Sequence, residues 1–263
     1  MATPDRVKRT PTLFGKHGAL APWFAGVAGS AILYFRVSHL DPTPSVFLLA
    51  PLKAAPVLVL SAISKQLVAF GAVESYATAI GRGLLCSAVG DVLLELEDAF
   101  SLDALFIGGL VSFLVGHCFY ISAFSSTARR EDVRAAAAAP VVAYALGLSA
   151  YLSAYLPALL VGPVLLYAAV IAAMALSSLC RALALPDFAS RCSYYSGVAG
   201  ALVFVVSDSV LAVNKFAFAV PAAHGVVMAT YYLGQLLITL SVWGARAPVG
   251  SAPSAEGGRS KAD

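Results

Sequence analysis

Two aspartates interrupt strongly apolar stretches of the chain and are the first candidates for chemistry. Asp91 lies in "CSAVGDVLLELEDAF", and Asp208 lies in "FVVSDSVLAVNKF". A carboxylate inside a hydrocarbon layer is costly, so such residues normally face a protein interior or a wet cavity. Two neighbouring carboxyl groups in a poorly solvated site cannot both ionise easily, so one keeps its proton near neutrality. Such a pair would supply a general acid and a general base, whereas a hydrogen bond or ion pair between helices is the structural alternative.

Other polar side chains lie in similar apolar surroundings. His117 follows in the next segment after Asp91, with Tyr120 close by, and is as much a candidate for an interhelical hydrogen bond as for catalysis. Tyr231, Tyr232 and Gln235 fall near the middle of the last segment, which favours a cavity lining over an interfacial anchor. The chain has four histidines and no HExxH motif, so we expect neither a metal site nor a cofactor.

Two lysines lie near what we expect to be one membrane face. Lys53 lies in "LLAPLKAAP", and Lys215 follows Asn214 in the second aspartate segment. Their charges could pair with a lipid phosphate. The alternative is that each side chain extends to the membrane surface and leaves its charge in water. A nucleophilic serine is not indicated, because no GxSxG motif occurs.

The composition indicates that membrane helices position these residues. Of 263 residues, 60% are hydrophobic and 12% charged, and the mean hydropathy is +0.84. A soluble domain would carry roughly twice that charged fraction. The net charge of +3 comes with scattered basic residues, so nucleic-acid binding is not expected.

A membrane-spanning helix needs about 20 mostly apolar residues. By that criterion the chain is an all-α, polytopic membrane protein with eight transmembrane helices. We expect a cytoplasmic N-terminal segment at 1–19, a membrane domain at 20–243 and a disordered cytoplasmic tail at 244–263. The apolar segments lie at about 20–36, 46–63, 77–95, 104–124, 136–156, 158–179, 192–213 and 222–243.

The two halves of the chain resemble each other. "GLLCSAVGD", ending at Asp91, aligns with "GALVFVVSD", ending at Asp208. One helix later, "FLVGH", ending at His117, aligns with "YYLGQ", ending at Gln235, at nearly the same separation. This pattern predicts a tandem repeat of four plus four helices, 20–124 and 136–243, with both aspartates at the same membrane depth.

The distribution of lysine and arginine predicts the orientation. Most basic residues fall in the N-terminal segment and in alternate loops, whereas the other face carries the acids that follow Asp91. Because basic loops stay in the cytoplasm, we expect both termini there.

Four motifs in order, "SAVGD", "GHCFYISAF", "SDSVLAVNKF" and "TYYLGQLLITLS", together with "LKAAPVL", resemble the YhhN family of membrane proteins over roughly residues 20–243. Characterised members are lysoplasmalogenases, and the second-half motifs look closer to the animal members, which implies the endoplasmic reticulum membrane. The resemblance implies that a lysophospholipid is the substrate, split at its vinyl ether into a fatty aldehyde and glycerophosphocholine or glycerophosphoethanolamine. Asp91 and Asp208 match the family's two motif aspartates. Other motif positions are occupied by His117, Tyr120, Asn214, Lys215, Tyr231, Tyr232 and Gln235.

The residues fit that reaction. A vinyl ether opens when its outer carbon is protonated, and water captures the resulting oxocarbenium ion, much as a carboxyl pair acts in glycosidases. We expect Asp91 and Asp208 to act as acid and base, His117 and the tyrosines to orient them, and Lys53 or Lys215 to hold the phosphate.

Two rival functions remain open at this level. A proton-coupled transporter also uses repeats with intramembrane acids. A structural lipid-binding protein would use the acids only to join helices. Contacts with membrane lipids are expected in every case, and small residues at helix interfaces permit a homodimer without requiring one.

Overall fold

The computed structural model describes residues 20–40, 45–126, 135–183 and 188–245. These residues form eight α-helices and no strand. The all-helical prediction is therefore confirmed for this part of the chain, whereas the predicted N-terminal segment 1–19 and most of the predicted tail 244–263 lie outside it. The helices are α1 (Ala21–Leu40), α2 (Val46–Ala69), α3 (Glu74–Phe100), α4 (Asp103–Ser126), α5 (Ala135–Ser153), α6 (Ala158–Leu183), α7 (Phe188–Ala212), which continues into a π-helix (Val213–Ala217), and α8 (Ala223–Leu240).

Six of these helices are long and apolar enough to cross a membrane. They are α2, α3, α4, α6, α8 and the combined α7 and π-helix segment Arg191–Ala217. The helix α1 is not among them, and the apolar part of α5 that meets the hydropathy criterion, Ala138–Ser153, is shorter. The chain is thus an integral, multi-pass membrane protein with six candidate spans among its eight described helices.

The six candidate spans form a closed ring. In order, α2, α3, α4, α6, α7 and α8 each pack on the next, and α8 returns to pack on α2 and α3. The helix α1 packs on α2, and α5 packs on α6 and contacts the π-helix. The first and fifth helices therefore hold corresponding positions beside the ring.

Pairs of glycines bring the aspartate helices close to their neighbours. A Cβ atom at Gly83 of α3 would lie 2.9 Å from the carbonyl oxygen of Gly116 on α4. A Cβ atom at Gly200 of α7 would lie 2.9 Å from the carbonyl oxygen of Gly234 on α8. Small residues allow such close backbone approach between membrane helices. The same crossing thus occurs at corresponding positions in both halves.

A buried arginine joins three helices at the end of the bundle far from Asp91. Arg181, at the end of α6, is 1% exposed and lies between the rings of Tyr76 and Tyr194, 4.6 Å and 4.5 Å from their centroids. Its Nη2 donates to Oγ of Ser193 at 2.9 Å. These contacts link α6 to the first turn of α3 and the second turn of α7. Cation–π pairs shielded from water are favourable.

Candidate active site

An apolar cavity of about 110 Å³ lies between α4, α5, α6, α7 and the π-helix, and Leu94 of α3 also lines it. Much of its wall consists of aliphatic and phenylalanine side chains, including Leu148, Leu152, Val164 and Ile171. A cavity of this kind suits a hydrocarbon chain. The hydroxyl, carboxyl and ammonium groups in its wall belong to Tyr144, Ser149, Tyr167, Asp208, Ser209 and Lys215.

Asp208 lies in the cavity wall and is held by a tyrosine. The hydroxyl group of Tyr167, on α6, donates a hydrogen bond to Oδ2 of Asp208. Nε2 of His117, on α4, lies 3.1 Å from the same hydroxyl oxygen. Because the Tyr167 proton points to Asp208, His117 must donate from Nε2 to Tyr167 when Asp208 is a carboxylate. His117 Nδ1 is buried and has no hydrogen-bond partner among the described residues. These contacts therefore link α4, α6 and α7 through a chain of three polar side chains.

Asp91 is buried and has a different hydrogen-bond partner from Asp208. It is 2% exposed, and the hydroxyl group of Tyr231 donates to its Oδ2 at 2.7 Å. The Tyr231 ring packs edge-on against Phe113 at 6.0 Å and against Phe204 at 5.5 Å between centroids. Phe113 lines the cavity, and Phe204 also lies 4.8 Å from the His117 ring. An aromatic layer therefore connects the two aspartates, and Asp208 is the one of the two that lines the cavity.

The two lysines have different surroundings. Lys215 lines the cavity, and its Nζ lies 2.8 Å and 3.0 Å from the two carboxylate oxygens of Glu97. Lys53 is 7% exposed and lies 3.0 Å from Oε2 of Glu95. Lys53 is therefore paired inside the bundle and does not extend to the membrane surface. Lys215 is also paired, but its side chain is 31% exposed at the cavity.

The remaining predicted site residues make contacts between helices. Tyr120 donates to Oε1 of Gln235 at 2.7 Å, and Nε2 of Gln235 is buried without a partner among the described residues. Tyr232 donates to the carbonyl oxygen of Lys53 at 2.9 Å. Oδ1 of Asn214 accepts from the Val220 amide at 2.9 Å, which fixes the turn after the π-helix. These four side chains are not part of the cavity wall.

Sequence reasoning missed the partners of the charged groups. Tyr167 binds both Asp208 and His117, yet in the sequence it is a single tyrosine in the apolar run "VLLYAAV". In the sequence, Glu95 and Glu97 are typical of surface acids at the end of a helix. In the structure, Glu95 pairs with Lys53 and Glu97 pairs with Lys215. Helix spacing could have placed Glu95 about one turn after Asp91, on the same face.

Comparison with known proteins identifies the family. The YhhN family profile matches residues 48–242. Human lysoplasmalogenase TMEM86A is 37% identical over 175 residues, which cover 66% of this chain and 68% of that protein. Pig lysoplasmalogenase TMEM86B is 32% identical over 238 residues, which cover 90% of this chain and 94% of that protein, and human lysoplasmalogenase TMEM86B is 33% identical over 230 residues, which cover 86% and 88%. No solved structure matches the chain. The profile covers most of the chain and so do these relatives, which confirms the resemblance seen in the motifs: the chain belongs to the YhhN family.

Proposed function

We propose that this protein is a membrane hydrolase that cleaves the vinyl ether bond of lysoplasmalogens. The relatives that carry the name lysoplasmalogenase support the reaction class. The observation that carries the proposal is the carboxyl group of Asp208 in the wall of an apolar cavity that Lys215 also lines. A lysoplasmalogen carries a hydrocarbon chain, then an acid-labile ether, then a phosphate. These groups match the apolar cavity, the Asp208 carboxyl group and the Lys215 ammonium group in the same order.

Asp208 supplies the proton. Its Oδ2 accepts from Tyr167, whereas its Oδ1 has no hydrogen bond from the described residues and can carry the proton that is transferred. Protonated Asp208 transfers its proton to the outer carbon of the vinyl ether, which leaves an oxocarbenium ion. Water adds to that ion and returns a proton to the Asp208 carboxylate. The hemiacetal then collapses to a fatty aldehyde and a glycerophosphodiester, so one water is consumed and the acid is regenerated.

Asp91 is the second carboxyl group of the mechanism. It lies behind Phe113 and Tyr231 and does not line the cavity. Its proposed role is therefore electrostatic: when Asp91 is ionised, its negative charge stabilises the oxocarbenium ion from a distance. Charge interactions extend further in a poorly solvated interior than in water. Tyr167 and His117 act as positioning residues that hold Asp208 against the cavity.

The phosphate binds Lys215, and the alkenyl chain fills the cavity. Asp208 and Lys215 lie two helical turns apart, about 10 Å along α7 and the π-helix. The long lysine side chain can therefore reach back towards the glycerol phosphate while the ether lies at Asp208. Lys215 is assigned to the phosphate in preference to Lys53, because Lys215 lines the cavity and its side chain is 31% exposed, whereas Lys53 does not line the cavity and its side chain is 9% exposed.

A second part of the proposal concerns the architecture. We propose eight membrane spans in a tandem repeat of four plus four, with both termini in the cytoplasm and the protein in the endoplasmic reticulum membrane. The matching glycine crossings and the corresponding positions of α1 and α5 support the repeat. The distribution of basic residues supports the orientation.

The experiment is aldehyde release from lysoplasmenylcholine by the purified full-length protein in detergent. Transport cannot occur without a sealed membrane, so turnover in detergent supports the hydrolase. Absence of turnover, in protein that remains folded and is supplied with added lipid, would contradict the proposal. It would favour the transporter instead, and a flux assay in vesicles would then follow.

A further inference from the structure

The helix α5 borders the cavity along a single face. An apolar helix face usually packs against neighbouring helices, which fixes the helix in place. Within the described ranges, α5 packs on α6 and contacts the π-helix, but it has no extensive backbone packing against α4 or α7. The residues of α5 that line the cavity recur at the spacing of one helical face and are Val141, Tyr144, Ala145, Leu148, Ser149 and Leu152.

The packing of α5 is uneven along its length. Near its carboxyl end, Leu152 and the following Leu156 join Val164 of α6 in a hydrophobic cluster that is separate from the main core. Of the α5 side chains that the structure describes, only Leu152 is buried. The helix is therefore anchored mainly where it turns into α6, and sparse packing of this kind is typical of segments that move.

One hydrogen bond joins the middle of α5 to α7. The hydroxyl group of Tyr144 donates to Oγ of Ser209 at 2.8 Å, and among the described side chains it is the only hydrogen bond between these two helices. Both residues line the cavity, and Tyr144 is also 49% exposed. Because one side chain faces both the cavity and the outer surface, this hydrogen bond lies at the boundary between the cavity and the bilayer.

We propose that α5 is a lateral gate through which the hydrocarbon chain of a membrane lipid enters the cavity. The chain passes between α5 and α7 at the level of Tyr144 and Ser209, and the hydrogen bond between them holds the gate closed. The fatty aldehyde leaves by the same route. This inference rests on the proposed function, because it takes the chain of a lysolipid as the occupant of the cavity.

The dimensions of the cavity support a moving wall. From Val141 to Leu152 the lining face of α5 extends about 16 Å along the helix axis, close to the length of a lipid chain in one leaflet, about 15 Å. The cavity volume of about 110 Å³ nevertheless accommodates only roughly seven to eleven groups of the size of a water molecule. A long alkenyl chain has more methylene groups than that. The chain therefore fits only when α5 moves outward.

The outer face of α5 suits contact with lipid. Val142 is 41% exposed and Leu146 is 67% exposed, and neither lines the cavity. A chain that enters beside these residues stays in apolar surroundings throughout. A route through water would expose each methylene group at a cost in free energy. Lateral entry from the bilayer is therefore the favourable route for a long chain.

The first test fastens α5 to α7 at the proposed opening. Tyr144→Cys and Ser209→Cys are combined in the full-length protein, whose four native cysteines are changed to alanine. The protein is held in lipid nanodiscs, where a short bis-methanethiosulfonate reagent joins the two thiols and a reductant releases them. Each single-cysteine variant, treated with the same reagent, is the control, because it carries the label without the link.

The probes are two radiolabelled 1-O-alkyl lysophosphocholines, which lack the vinyl ether and cannot be cleaved. One has a hexadecyl chain and needs α5 to move, whereas the other has a butyl chain that fits the closed cavity. We expect the link to weaken equilibrium binding of the hexadecyl probe at least about tenfold and to leave binding of the butyl probe within about twofold. Release of the link should restore binding of the hexadecyl probe.

Two results would overturn the inference. If the linked protein binds the hexadecyl probe as the controls do, the chain enters without any movement of α5. If the link weakens binding of both probes equally, it only distorts the cavity. Because neither probe is a substrate, a block that depends on chain length, without any turnover of vinyl ether lipids, would count against the proposed hydrolase and not against the gate.

The second test keeps the native cysteines. Ser209→Ala removes the acceptor of the Tyr144 hydrogen bond, so the hexadecyl probe should enter from vesicles about fivefold faster, the factor that one net hydrogen bond represents. Ser177→Ala is the matched control, since Ser177 donates to the Ala173 oxygen of its own helix at 2.8 Å and does not line the cavity. Equal entry rates in the two variants would contradict the gate, and this comparison decides if the cysteine variants do not fold.

Discussion

The hydroxyl group of Tyr167 donates a hydrogen bond to Asp208 and lies within hydrogen-bond distance of His117. One side chain on α6 therefore links the acid on α7 to the histidine on α4. His117 is fully buried and does not line the cavity. In the proposed mechanism it therefore acts on Asp208 through Tyr167. The orientation of the proposed acid depends on a residue that neither aspartate motif contains.

Replacing Tyr167 with phenylalanine tests that link. We expect kcat to fall roughly 10- to 100-fold with KM nearly unchanged, because Asp208 loses the group that orients it while the cavity keeps its shape. Steady-state kinetics on lysoplasmenylcholine give both constants. Tyr144→Phe is the matched control, since Tyr144 also lines the cavity and donates to the adjacent Ser209 at 2.8 Å. If both variants lose kcat equally, the loss does not depend on Asp208.

The buried pair Lys53–Glu95 should contribute to stability and not to phosphate binding. Lys53→Met leaves the Glu95 charge buried without a partner, so we expect a loss of about 3 kcal/mol in the free energy of unfolding. Adding Glu95→Gln should restore most of it, which denaturation of the single and double variants would show.

KM separates the two lysines. It should stay near the wild-type value in the Lys53→Met, Glu95→Gln double variant and rise roughly tenfold in Lys215→Met, because only the latter loses a phosphate contact. A high KM in the double variant would place the phosphate at Lys53 instead.

The glycine crossings predict matched effects in the two halves. A Cβ atom at Gly200 would lie 2.7 Å from the Ile238 nitrogen and 2.9 Å from the Gly234 oxygen, so Gly200→Ala should destabilise the protein by about 2 kcal/mol. Gly83→Ala should destabilise the protein at least as much, because its Cβ atom would lie 2.3 Å from Cε1 of Tyr120 and 2.9 Å from the Gly116 oxygen. Gly147 has no atom within 4 Å of its Cβ position, and Gly147→Ala should be neutral or slightly stabilising. Thermal unfolding measures all three, and a neutral effect at either Gly83 or Gly200 would argue against equivalent crossings.

Much of the fold was predictable because long apolar segments indicate membrane helices. Each predicted segment corresponds to a helix, but several helices extend further than expected. The helix α3, predicted at 77–95, ends at Phe100, because the acids Glu95 and Glu97 find lysine partners and do not terminate it. Hydropathy alone treats such acids as loop residues.

The site was only partly predictable. Asp91, Asp208 and Lys215 stood out because charges are rare in apolar segments. The sequence does not state which helices face the cavity, so it could not separate Asp208 in the cavity wall from Asp91 behind the aromatic layer. Tyr167 gave no signal for a similar reason, because a tyrosine in an apolar helix becomes informative only once its hydroxyl partner is known.

The most direct test compares aldehyde release by purified Asp208→Asn and Asp91→Asn in detergent. We expect Asp208→Asn to fold and to lose at least about 10³-fold in kcat, because an amide cannot supply the proton. Asp91→Asn should retain measurable turnover, reduced about 10- to 100-fold, because it removes a charge that does not touch the substrate. Full activity in a folded Asp208→Asn variant would contradict the account.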